Sequence, residues 1–61
     1  MPFRIYKMQN NGSLHFVEAM QALDDAKTRV QELSKLWPGE YAIHNEETGV
    51  RVFIPSRDTI H

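Results

Sequence analysis

Apolar and polar residues alternate at the start of the chain. From Phe3 to Gln9, aromatic and β-branched residues interleave with basic ones, which predicts a strand with Phe3, Ile5 and Lys7 on one face and Arg4, Tyr6 and Met8 on the other. Asn10, Asn11, Gly12 and Ser13 interrupt it, and an Asn-Gly pair between two strand-like runs predicts a hairpin turn. Leu14 to Glu18 is the expected return strand. Strict alternation sets Leu14, Phe16 and Glu18 against His15 and Val17, without deciding which side is buried.

The period then lengthens. Ala19, Leu23, Ala26, Val30, Leu33 and Trp37 recur at the spacing of one helical face, so a helix from about Ala22 to Trp37 is expected, with Lys27, Gln31, Glu32 and Lys35 facing water. Asp24 and Asp25 suit its first turn, where carboxylates meet the positive end of the helix dipole, although no Ser, Thr or Asn precedes Leu23 as a cap. Pro38 and Gly39 end it. Glu40 to Asn45 predicts a third strand, Asn45 to Gly49 a loop closed by glycine, and Val50 to Ile54 a fourth strand stopped by Pro55. In that last strand Val50, Val52 and Ile54 are expected to point inward, and Arg51 and Phe53 outward.

The fold class that follows is α+β. Two β-hairpins form a four-stranded, mainly antiparallel sheet, covered on one face by a single amphipathic helix in the order β-β-α-β-β. The pattern is compatible with several strand orders. Residues 1–61 are expected to form one domain with an ordered core over about 3–55, and the polar tail 56–61 is expected to fray. Trp37, the largest apolar side chain, is expected to cover the end of the sheet and to dominate the core. The helical stripe is too short for a stable coiled-coil seam, and core packing accounts for it.

Composition narrows function by exclusion. The apolar fraction of 41% fits a folded protein, and the absence of cysteine removes disulfides and thiolate metal sites from consideration. A net charge of −1 with intermixed signs gives no footprint for duplex DNA or an anionic membrane. No apolar run is long enough to span a bilayer and the start lacks the features of a secretory signal, so no membrane partner and a cytoplasmic setting are expected.

His15, His44 and His61 invite a metal reading beside Glu46 and Glu47, but their spacing matches no metal motif, and solvated histidines on a sheet explain them. The acid pairs Asp24-Asp25 and Glu46-Glu47 are neighbours whose carboxyls point apart, unlike a catalytic pair facing across a substrate. No nucleophile elbow or phosphate loop exists, so neither catalysis nor a cofactor is expected.

The surface that stands out is the sheet face away from the helix, where alternation collects Arg4, Tyr6, Met8, His15, His44, Arg51 and Phe53. Such a mixture is what protein interfaces favour, and it also suits stacking of single-stranded nucleic acid. Simple exposure of an uncovered sheet face explains it as well. The leading expectation is a non-enzymatic interaction module binding a protein partner or itself through this face or a sheet edge. Single-stranded nucleic-acid binding through Tyr6, Phe53, Arg4 and Arg51 is the alternative, weakened by the lack of net positive charge.

The segments Phe3-Arg4-Ile5-Tyr6, Gly12, the helix with Ala26, Lys27, Arg29, Val30 and Leu33, then Pro38-Gly39-Glu40-Tyr41 with Ile43, and Glu47-Thr48-Gly49 together resemble a type of short bacterial protein with no assigned activity. The resemblance runs through most of the chain up to Ile54. It implies a bacterial cytoplasmic setting and a β-β-α-β-β fold, and it transfers no site residue.

Overall fold

The computed structural model describes residues 1–55; the tail 56–61, expected to fray, lies outside the described residues. The elements are β1 (Phe3–Met8), β2 (Leu14–Met20), α1 (Leu23–Leu36), β3 (Tyr41–Asn45) and β4 (Arg51–Ile54), in the order that the pattern predicts. Every strand pairing is antiparallel, and the strands lie side by side as β2-β1-β3-β4. Because β2 and β3 both run against β1, they are parallel to each other, and parallel strands need a crossover connection. The α1 helix is that crossover and passes over β1.

Turn chemistry sets the hairpins. Gln9 N–H donates to the Ser13 carbonyl at 2.8 Å and Gly12 N–H to that of Gln9 at 3.0 Å, with Gly12 at φ 87°, a conformation that costs glycine little. In the second hairpin the Asn45 side-chain oxygen accepts the Glu47 N–H at 2.9 Å, an Asx turn that starts the reversal. The helix begins after Ala22 with no side-chain cap, and Asp24 and Asp25 occupy its first turn as expected. Trp37 N–H closes the last turn on the Leu33 carbonyl at 2.7 Å, and the helix stops there, before Pro38.

The core is narrower than the periodicity implies. Ile5, Ala26, Val30, Leu33, Tyr41 and Ile43 form the buried cluster, with Phe3, Val17, Met20, Leu23 and Ile54 packed around it. Ala19 does not continue the helical stripe: it lies in β2 opposite Arg4, so its spacing from Leu23 was coincidental. Trp37 is 41% exposed, because it sits on the helix C-cap beyond the last covered turn. Its ring instead shelters Lys7, whose ammonium lies 5.1 Å from the Trp37 ring centre and 5.9 Å from that of Tyr41.

Lys7 is therefore a buried cation on the helix-facing side of β1. Its ammonium donates to the Met8 carbonyl at 3.3 Å, and it fills the space beside Gly39, where a Cβ would come within 2.6 Å of the lysine nitrogen. The Tyr41 hydroxyl donates to the Trp37 carbonyl, one of the helix-end acceptors left without an intrahelical partner. Tyr41, Trp37 and Lys7 thus tie the end of α1 to the start of β3.

Two expectations follow. Ile43→Ala should cost about 2–5 kcal/mol, a large part of the roughly 3–9 kcal/mol that a chain of 61 residues commands. Trp37→Ala should cost clearly less and keep a cooperative urea transition; a loss equal to that of Ile43→Ala would show that Trp37 belongs to the core after all. Burial also raises the Tyr41 hydroxyl above its ordinary value of 10.0. Because the unfolded chain then releases this proton at lower pH than the folded one, stability is intact below about pH 10 and should fall as pH rises through the folded value. In urea melts from pH 8 to 11, Tyr41→Phe should flatten that alkaline decline; an unchanged slope would assign it to other groups.

Candidate interaction surface

The register sorts the side chains of the sheet into two faces. On the face away from α1, Arg4 lies between Ala19 and His44, and Tyr6 between Phe16 and Ala42. Met8 lies beside Leu14, while His44 and Ala42 continue to Arg51 and Phe53 in β4. Arg4, Tyr6, Met8, His44, Arg51 and Phe53 therefore share one face. His15 does not join them.

Hairpin pairing explains the difference: Met8 on the open face pairs with Leu14, so alternation carries Phe16 to that face and sets His15 beside Lys7 on the other. Between Ile5 and Tyr6 a β-bulge then slips the pairing with β2 by one residue, so that Ile5 pairs with Glu18 but Tyr6 with Phe16, and Val17 is the extra residue. The slip breaks strict alternation: Val17 packs against the core and Glu18 meets the helix through Arg29, at 2.7 Å, while Phe16 stays on the open face. His15 goes to the helix side, where its ring lies edge-on to Trp37 at 5.9 Å. The bulge leaves no mark in residue type, although the Glu18 carboxylate beside an arginine on the facing helix is the kind of signal that could have shown it.

Phe16 takes the place assigned to His15 and changes the character of the surface. Its ring meets Tyr6 edge-on at 5.9 Å, and the Arg4 guanidinium stands 5.7 Å from its centre. Arg4 is held on its other side by Glu46 at 2.5 Å, which partly neutralises it. Phe16 and Phe53 are 47% and 55% exposed, at opposite ends of the face, with Tyr6 and the fully buried Ala42 between them. His44 sits between Arg4 and Arg51, its Nδ1 buried and without a hydrogen-bond partner among the described residues.

The helix side of β4 is a second apolar surface. Val50 and Val52 were expected to be core, yet they are 57% and 40% exposed. They point to the helix side, but α1 packs mainly over β2, β1 and β3, and of β4 only Ile54 packs against the core. A groove of about 200 Å³ runs between the helix and this edge, lined by Val30, Gln31, Tyr41, Val52, Ile54 and Pro55 among others. A smaller hollow beside Leu23, Ile43 and Val50 extends it along the strand.

Among the described residues no three of His, Cys, Asp and Glu gather where they could hold a metal ion. No helix of the described residues is long and apolar enough to cross a membrane. Compared with known protein families, curated proteins and solved structures, the chain matches none of them. What the geometry defines is a class: an α+β chain with an open antiparallel sheet and exposed aromatic and aliphatic side chains on both sides of one edge strand.

Proposed function

We propose that this chain is a non-enzymatic interaction module that binds a protein partner or a copy of itself through the β4 side of its sheet, in a cytoplasmic setting. The observation that carries the reading is the exposure of Phe53 on one face of β4 and of Val50 and Val52 on the other. Large apolar side chains exposed on both sides of one edge strand are the kind of surface at which proteins meet. The rest of the open face adds Tyr6, Phe16 and Met8, with Arg4 and Arg51 at its margin, the residue types that interfaces enrich.

Single-stranded nucleic acid fits this surface less well. Arg4 is already engaged by Glu46 and Phe16, and the net charge is −1. Phosphate binding draws on free cations, and its affinity falls steeply with salt.

A photo-crosslinking amino acid at position 53, in cells that make the protein, should yield discrete protein adducts, and the same probe at Thr28 on the outer face of α1 should not. Adducts to nucleic acid, or equal labelling from both positions, would overturn the reading. Phe53→Glu should abolish the association while leaving the melting temperature of the monomer within a few degrees, since Phe53 is outside the buried cluster.

A further inference from the structure

We infer that the partner of the β4 edge is a second copy of this chain, paired antiparallel across a two-fold axis through Val52 to give one continuous eight-stranded sheet. The inference rests on the reading of the β4 side as the interaction surface and names its occupant.

Hydrogen-bond parity defines what the edge offers. Asn45 N–H donates to the Val50 carbonyl at 2.8 Å, so the backbone of Val50, and by alternation that of Val52 and Ile54, turns toward β3. Arg51 and Phe53 therefore turn their N–H and C=O groups outward. These four groups lie on an unbroken strand with no proline before Pro55 and no bulge. The opposite edge, β2, carries the bulge at Val17, a device that discourages pairing with a further strand.

Self-pairing then has one good register. With the axis at Val52, Arg51 of each copy exchanges backbone hydrogen bonds with Phe53 of the other, and all four free groups are used. Moving the axis to Arg51 sets two guanidinium groups directly opposite each other, which is destabilising. Moving it to Phe53 sets Arg51 opposite Pro55, which has no N–H to donate.

The side chains suit the same register. On the open face the single charge of β4 falls on the aromatic ring of the other copy, a favourable cation–π pairing, and not on its own counterpart. On the helix side Val52 meets Val52 in a close, non-hydrogen-bonded pair, and Val50 meets Ile54. The two-fold axis stands perpendicular to the sheet, so both helices lie on the same side. The groove left between each α1 and β4 opens toward its counterpart, and the half-exposed valines gain a cover.

The pairing is short and belongs at the small end of interface sizes, so the mass measured by sedimentation should rise from monomer toward dimer between about 1 and about 500 μM. Phe53→Pro removes an outward N–H without touching the β3 ladder, and Val52→Lys sets two charges face to face at the axis. Both should remain monomeric at the highest concentration and keep the melting temperature of the dilute parent. Since the chain has no cysteine, Val52→Cys in oxidised glutathione should form a disulfide-linked dimer at least about tenfold faster than Phe16→Cys, because pairing raises the effective thiol concentration. A parent that stays monomeric throughout, or equal crosslinking at the two positions, overturns the inference and leaves a heterologous partner for the β4 side. A dimer that survives Val52→Lys but is lost in Phe16→Lys also overturns it, moving self-association to the open face.

Discussion

A helix that joins β2 to β3 has to cross β1, and this path fixes what one helix can cover. Fourteen residues at 1.5 Å per residue reach about 21 Å, enough to shield a few neighbouring strands. The strands on its route are β2, β1 and β3. The fourth, β4, is appended to β3 after the crossover and is covered only at Ile54. The completely buried side chains of Ile5, Ala26, Val30, Tyr41 and Ile43 mark the centre of this shelter, and the exposed Val50 and Val52 mark where it ends.

The elements were legible because each has its own period. Alternation around Ile5 and around Ile43 reads as strand, the three-and-four spacing of Leu23, Ala26, Val30 and Leu33 reads as helix, and Asn-Gly and Pro-Gly punctuate them. The open face was legible wherever alternation held, which placed Arg4, Tyr6, Met8, His44, Arg51 and Phe53. It failed for His15 and Phe16 because alternation separates Leu14 and Phe16 from His15 and Val17 without saying which side is open, and the bulge then takes Glu18 off the side of Phe16 with no change in the composition of the strand. Val52 was misjudged for a different reason. Its inward orientation follows from local pattern, whereas its burial depends on strand order, which no local pattern contains.

Polar residues hold the rim of the structure. Arg29 bridges Glu18 and Glu32, which holds its pKa above the ordinary value and fastens the helix to the bulged part of β2. Part-exposed ion pairs of this kind contribute little to stability. Their role here is orientation: Glu18 can face the helix only because Val17 has been inserted, so the pair and the bulge favour the same register. At the C-terminal end of α1, Tyr41 and Trp37 perform the corresponding task through one hydrogen bond to a helix carbonyl. The helix is thus held at its middle by Arg29 and at its C-terminal end by Tyr41, two directed contacts beside its apolar stripe.

Gly39 and Lys7 are thirty-two positions apart in the chain yet occupy one volume. Glycine after proline is ordinarily explained by the end of a helix, but Gly39 lies two residues past the C-cap Trp37, at φ 145°, a conformation open to glycine that is not the left-handed helical cap. The lysine adds a second demand on the same position, since any side chain there would displace the ammonium from its place between Trp37 and Tyr41. A side chain at 39 would therefore act on the fold twice, by straining a backbone that only glycine adopts easily and by pushing the lysine end out from between the two rings, so the loop after the helix and the cation on β1 are one packing unit.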